Sequence, residues 1–247
     1  YEADPNAAPA DDPLRAQVTA LRVDATARLA RAAEMEKRGD LEGALAEHLA
    51  ALAEQPDLAQ THINLISLYA RLGKKEKARE HAAKALDLAP DRAELHYDIG
   101  VLDVGDGRLA EAEQEFRRAV ELNPAYSAAM TNWGQMLEAR GAYAEAAKLY
   151  SRAVEAQPDY PLARHHWGRM LLAQGEPGRA IEQFRAALEP QTPLSAEAWL
   201  GLAAAYSVQG RRDEARKAAE QAKALAQRFG RQDLAQAVDR ELERLRQ

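Results

Sequence analysis

Small and apolar residues return along this chain at a fixed phase. Glycines stand at Gly39, Gly73, Gly107, Gly141 and Gly175, each 34 residues after the last, and Gly210 comes after 35. Five residues beyond each comes an alanine (Ala44, Ala78, Ala112, Ala146, Ala180, Ala215), and twelve beyond comes another (Ala51, Ala85, Ala119, Ala153, Ala187, Ala222). Seven before each glycine the residue is small at Ala32, Gly100, Gly134, Gly168 and Ala203, with Ile66 the exception. Larger residues (Tyr69, Leu137, Leu171, Tyr206; Phe116, Tyr150, Phe184) fall between them. Chance does not hold such a phase through six units, and repeats of this length signal a stacked array.

Each unit has a physical logic. A first helix ends at the glycine, which takes the left-handed backbone that terminates helices. A second helix starts three or four residues later, and Pro56, Pro90, Pro124 or Pro158 stops it. The small residues mark where helices cross closely, and the large ones fill the space between. The expected units are 25–58, 59–92, 93–126, 127–160, 161–195 and 196–229. Three departures stand out. Arg28 and Arg31 replace large apolar residues in the first unit, which suits an array end without a preceding neighbour. Asp103 replaces one in the third, putting local packing in question. The fifth unit closes on LEPQTPLS, one residue longer, with Pro190 and Pro193 shifting the joint.

The unit AELHYDIGVLDVGDGRLAEAEQEFRRAVELNPAY, residues 93–126, closely resembles the tetratricopeptide repeat, and the resemblance covers about residues 25–229. It implies an all-α fold, a right-handed α-solenoid of six helix pairs with a concave inner face. It also implies that positions 2, 5, 6, 9, 12 and 13 of each first helix line that face. Carried onto this chain, those positions give Asn64, Ser67 and Arg71; Tyr97 and Asp98; Thr131, Asn132 and Gln135; His165, His166 and Arg169. Asn64 and Asn132 resemble the asparagine that holds bound peptide backbone in such proteins, since an amide donates and accepts at once. The two-lysine, one-arginine carboxylate clamp of chaperone adaptors is not reproduced. Arg71 and Arg169 are the cations expected to receive acidic side chains.

The two ends differ from the array. Residues 230–247 carry Leu234, Val238, Leu242 and Leu245 on one stripe, as a capping helix requires to cover an otherwise apolar end. At the other end Asp12 is a natural N-cap with Pro13 in the first turn. Nothing from there to Arg38 breaks a helix. Residues 13–24 thus extend the first helix beyond its repeat, with Leu14, Val18 and Leu21 on one edge that wants a partner. Residues 1–12 form an extended, Pro/Ala-rich acidic tail, expected to take no fold of its own in water.

Composition and charge sharpen this picture. With 55 alanines, few aromatic residues and no cysteine, the chain favours closely packed helices and excludes disulfides and thiolate chemistry. The net charge of −6 argues against nucleic acid, which demands a concentrated basic surface. No apolar run approaches a membrane span, so no membrane insertion is expected. The first 13 residues hold Glu2, Asp4, Asp11 and Asp12 with no basic residue, whereas residues 211–247 carry ten Lys/Arg against seven Asp/Glu. A Pro/Ala/Asp spacer ahead of a folded domain, after a non-Met start, is common just past an export cleavage site. Export to the periplasm or medium is the expectation, with the cytoplasm the alternative.

Candidate chemistry dissolves on alignment. GDGRLA, residues 105–110, matches a dinucleotide-binding fingerprint, but its counterparts GDLEGA, GKKEKA, GAYAEA, GEPGRA and GRRDEA are helix-to-helix turns. His62 and His96 share the fourth position of a first helix, a packing site, while His48 and His81 lie on second helices. His165 and His166 are adjacent and cannot face one point. No metal, cofactor or catalytic set is therefore expected. Trp133, Trp167 and Trp199 read as core. The expected function is a non-catalytic protein-binding scaffold. Its favoured mode is head-to-tail self-assembly through Tyr1, Glu2, Asp4, Asp11, Asp12, Leu14, Val18 and Leu21, which propagates as a filament where the rotation does not close. The alternative is an adaptor holding an unrelated protein's extended segment in the groove.

Overall fold

The computed structural model describes residues 13–246, with side chains over 24–245. Among them are thirteen α-helices and no strand, in two compact units divided between Arg108 and Leu109. The first unit holds α1 (Pro13–Arg38), α2 (Leu41–Glu54), α3 (Ala59–Arg71), α4 (Lys75–Leu88) and α5 (Ala93–Gly105). The second begins with α6 (Leu109–Leu122), α7 (Ser127–Ala139), α8 (Tyr143–Ala156) and α9 (Pro161–Ala173). It continues through α10 (Pro177–Ala186), α11 (Pro193–Val208), α12 (Arg212–Arg228) and α13 (Gln232–Arg246). Helices pack as consecutive pairs, α1 on α2 and α3 on α4 in the first unit. In the second, α7 packs on α8, α9 on α10 and α11 on α12. First helices also meet their counterparts in the next pair: α3 meets α5, α7 meets α9, and α9 meets α11. This is the all-α solenoid of helix pairs that the periodicity predicts.

The phased glycines terminate helices as expected. At Gly73 φ is +71°, and the Lys74 N–H reaches back to Tyr69 O at 2.8 Å while the Gly73 N–H reaches Ala70 O at 3.0 Å, closing the last turn of α3. Gly230, outside the repeat phase, does the same between α12 and α13. The small residues mark close crossings. A Cβ on Gly134 would stand 2.6 Å from the Tyr150 ring, and one on Gly168 2.8 Å from the Phe184 ring, both rings fully buried.

The departures resolve into ion pairs and a shifted joint. Arg28 bridges to Glu54 (2.7 Å) and Glu47, and Arg31 to Glu47 (2.9 Å), so α1 and α2 are laced by charge where a preceding repeat would supply apolar contact. Asp103 is buried at 4% exposure, and Arg79 and Arg108 each approach its carboxylate to 2.8 Å. The packing in question there is closed by charge. The joint at 186–193 differs from the regular ones. The second helix of repeat 5 stops at Ala186, and the next first helix starts at Pro193, three residues before 196. Thr192 and Ser195 form a reciprocal capping box that fixes this start.

At the C-terminus Val238 is fully buried and Leu234 nearly so, while Leu242 and Leu245 pack on the core of α9–α12, which is what a cap does. At the N-terminus α1 runs unbroken for 26 residues against 14 for α2, so twelve residues overhang its partner by about 18 Å. Tyr1, Glu2, Asp4, Asp11 and Asp12 lie outside the described residues. Leu14, Val18 and Leu21 lie on α1, with their side chains outside the described set.

Candidate functional site: a two-cleft face on the second unit

The expected groove residues divide between the units. In the first unit the groups on α3 are engaged locally. Gln60 donates to Asn64 Oδ1 at 2.9 Å, the Ser67 hydroxyl donates to Asn64 O, and Arg71 pairs with Glu36 at 3.2 Å. On α5, Tyr97 and Asp98 are half-buried. Burial, aided by Glu94 one turn away, pushes the Asp98 carboxyl up to about 7.

In the second unit α7, α9 and α11 lie side by side and their residues converge. One cleft, of about 610 Å³, is lined by Gln135, Glu138, Ala139, Tyr143, His166 and Arg169, with Met170 and Ala173 below. A second, of about 510 Å³, is lined by Leu172, Phe184, Leu200, Gly201, Ala204 and Leu234, with His165, Arg169 and Glu197 at its polar end. Both clefts include Arg169 and Ala173, so α9 forms a ridge common to the two. Asn132 stands one turn before Gln135 on the same side of α7, half-buried.

The polar groups of this face form one connected cluster. Glu138 accepts from the Tyr150 hydroxyl at 3.0 Å, receives Arg169 at 2.7 Å and faces His166 Nδ1 at 3.4 Å. Gln135 Nε2 donates to His166 Nε2 at 2.8 Å, which leaves the imidazole proton on Nδ1 towards Glu138. His166 also stacks on the Tyr150 ring. Burial lowers its pKa, with Glu138 opposing and Arg169 reinforcing the shift. The neighbouring His165 is held neutral, its pKa pushed down to about 3 by burial and then by His166 and Arg169. Its Nε2 stands 3.7 Å from Glu197, too far for a hydrogen bond. Glu197 is instead held by Arg231 at 3.1 Å. Tyr150, its ring buried and its oxygen beside Glu138, keeps its proton to higher pH than usual.

Of the expected groove residues, Thr131 turns inward and His165 is almost wholly buried at the edge of the second cleft. Thr131 is fully buried and its hydroxyl donates to Ser127 O at 2.7 Å, and His165 is 6% exposed against Phe184. Ile63, at the same repeat position, is 2% exposed, so position 5 packs between helices in these repeats. Conversely, Glu138, Leu172, Glu197, Leu200, Gly201 and Ala204 were missed. The positional rule would have found all six, at positions 12, 12, 2, 5, 6 and 9, had it been carried through the fourth repeat and into the sixth.

The other histidines hold the chain. His62 Nε2 donates to Pro56 O at 3.0 Å and His96 Nε2 to Pro90 O at 2.7 Å, six residues upstream in both cases. Arg164, at the same position, donates to Pro158 O. Each closes a carbonyl left open where one helix stops and the next begins. The packing role expected of His62 and His96 is thus partly a hydrogen-bonding one. Trp167 and Trp199 pack against the core of α9–α12, and Trp133 is half-buried. Among the described residues no group of three or more metal-ligating side chains comes together, and no helix is long and apolar enough to cross a membrane.

Comparison with known proteins places this architecture. The tetratricopeptide repeat model matches residues 63–125, 97–161 and 166–229, and the chain belongs to that family. No curated protein matches it. Among solved structures it is similar to pilF of Pseudomonas aeruginosa, with a TM-score of 0.76 at 20% identity over 90% of this chain and 99% of that one. It is also similar to PilW, a type IV pilus biogenesis factor (TM-score 0.68, 24% identity, 87% and 97% covered). A third similar structure is YrrB, a tetratricopeptide protein with an unusual peptide-binding site (TM-score 0.59, 23% identity, 78% and 97% covered). At this identity the likeness establishes the fold. The fold is that of a protein–protein interaction scaffold.

Proposed function

We propose that this chain is a non-catalytic scaffold that holds an extended segment of another protein across α7, α9 and α11. The observation that carries this reading is the pair of clefts that flank α9 and share Arg169 and Ala173. Clefts of this size, apolar with a few placed polar groups, are where ligands bind. The acidic side chains expected at Arg71 and Arg169 find both guanidiniums already paired, with Glu36 and Glu138. The acidic tail therefore has no free cation at either place.

A second reading, self-assembly, is favoured by one observation, the twelve-residue overhang of α1. A photo-crosslinking amino acid separates the two. Placed at Tyr143, which is 59% exposed at the rim of the first cleft, it is expected to give an adduct with a foreign protein in cells. Placed at Gln221 on the outer side of α12 it is expected to give none. Adducts at twice the chain's own mass would favour self-assembly. Light scattering of the whole chain beside one beginning at Ala25 would then show large species that vanish on truncation. No adduct at Tyr143 from any partner would overturn the segment-binding reading.

A further inference from the structure

We infer that the face of α7, α9 and α11 takes an internal, uncharged stretch of a partner chain bearing a large aliphatic or aromatic side chain, gripped through backbone and apolar contact and not through charge. The inference rests on the segment-binding reading above and names the chemistry of the segment.

Charge comes first, because it is what this face has already spent internally. Arg169 is the cation common to both clefts, and it is bound to Glu138, whose side chain is only 14% exposed. Drawing Arg169 away to a partner's carboxylate would leave a nearly buried carboxylate with only a phenol and an imidazole, and uncovering a buried charge is costly. Arg164, the other cation of α9, is held by Pro158 O and Gln183 Oε1. Glu197 is held by Arg231, so a partner's cation finds no free carboxylate in the apolar cleft. The two imidazoles are neutral and add no field. A C-terminal carboxylate or an acidic segment therefore meets no cation here that is not already paired, and a basic segment no carboxylate that is not already paired.

What remains unpaired is suited to neutral backbone. The Asn132 amide has no hydrogen-bond partner among the described residues, and Gln135, whose NH2 group serves His166, keeps its oxygen free there. One amide that donates and accepts, with an acceptor one turn on, matches the N–H and C=O groups of an extended peptide. On the other side of α9 lies the cleft of Leu172, Phe184, Leu200 and Leu234; Gly201 there is already covered by the Phe184 ring, and the short side chain of Ala204 leaves the room for a bulky one. The cleft's size falls within the range of ligand clefts. A segment that lays its backbone over Asn132 and Gln135 and, past α9, inserts an apolar anchor there uses both unpaired amides and disturbs no ion pair.

The test is selection from random dodecapeptide libraries against the whole chain, displayed in two formats, one with a free C-terminus and one fused at both ends. Peptides enriched from the doubly fused format, with a recurring Leu, Ile, Phe or Trp and no enrichment of Asp or Glu, are expected. A consensus peptide should bind equally as acid and amide, and its affinity should change less than about threefold between 50 and 500 mM salt, since screening acts on charge. Asn132→Ala and Leu200→Asp should each weaken it about tenfold, as expected for a lost buried contact. Leu200 is half-buried, so the fold is expected to survive, and circular dichroism checks it. The synthetic peptide YEADPNAAPADDP should not bind. Enrichment only of free C-termini or of acidic peptides, or salt-sensitive binding of YEADPNAAPADDP, would overturn this inference while leaving segment binding intact. No enrichment in either format would overturn both.

Discussion

Single residues in this chain are placed by close approach and by protonation. Gly168 shows the first. Alanine would raise helix propensity by about 1 kcal/mol at an open site, but here its Cβ meets the fully buried Phe184 ring. Overpacking of this kind costs about 1–3 kcal/mol, so Gly168→Ala should destabilise, read as a lower midpoint in urea. Histidines show the second. Three of them, His81, His165 and His166, have lowered pKa values through burial. The unfolded chain takes up these protons below the ordinary value of 6.5 and the folded chain does not, so stability is lost as pH falls below that point. For His165 the slope approaches about 1.4 kcal/mol per pH unit and continues towards pH 3, and His81 and His166 add to it in the same direction. Asp98 acts in the opposite sense. Its raised pKa means the unfolded chain sheds a proton that the folded chain keeps, so stability falls as pH rises from about 4 to 7. Asp98→Asn should remove that loss and raise the urea midpoint at pH 8. A midpoint unchanged at pH 8 would mean that Asp98 ionises freely in the folded chain.

At the scale of elements the sequence was unusually readable, and the reasons are local. The glycine that ends a helix, the proline that prevents its continuation and the alanine at a crossing are each dictated by backbone sterics, so their spacing alone yielded the helix pairs. The unbroken run from Pro13 to Arg38 was equally legible. Three things were not. Asp103 looked like a packing fault, because its partners Arg79 and Arg108 come from 24 residues before it and five after, and pairing across such distances leaves no mark in a repeat. The joint at 186–193 depends on a capping box that only the shifted register brings into being. The site was half legible: positional analogy found Gln135, His166 and Arg169 and reaches Glu138 once carried through the fourth repeat, but that Glu138 ties them together shows only when Tyr150, His166 and Arg169 stand around it. Asp103→Ala should expose what the fault conceals. It leaves Arg79 and Arg108 without their buried acceptor, at a cost of about 1–3 kcal/mol, less than for a sealed pair because both arginines reach water. If Asp103→Ala proves neutral in thermal unfolding, the ion pairs do not hold this helix.

The molecule as a whole is two units, and the site lies in the second. Each has its own core, one around Ile63, Leu65, Ile66 and Tyr69, the other around Phe184, Leu202, Ala219 and Val238. Stability in repeat arrays is carried by neighbour contacts, so a unit with its own core and cap is expected to fold alone. Residues 109–247 should show cooperative helical unfolding, checked by circular dichroism, whereas residues 109–231, without α13, should unfold at lower temperature because Leu234 and Val238 no longer cover the last pair. Equal midpoints for the two would mean that α13 is not a cap.

The hydrogen bonds from His62, His96 and Arg164 to prolines six residues upstream bear on how such a chain can lengthen. Each links the end of one repeat to the start of the next, so it survives duplication or loss of a segment only when the cut preserves that spacing of six. Whole multiples of 34 residues preserve it wherever the break falls. The joint of repeats 5 and 6, one residue longer, has another device: the single Ser195 hydroxyl proton lies between Leu188 O and Pro190 O, 3.0 Å and 3.2 Å from Oγ. A joint of altered length cannot use the six-residue spacing, and here Ser195 takes its place.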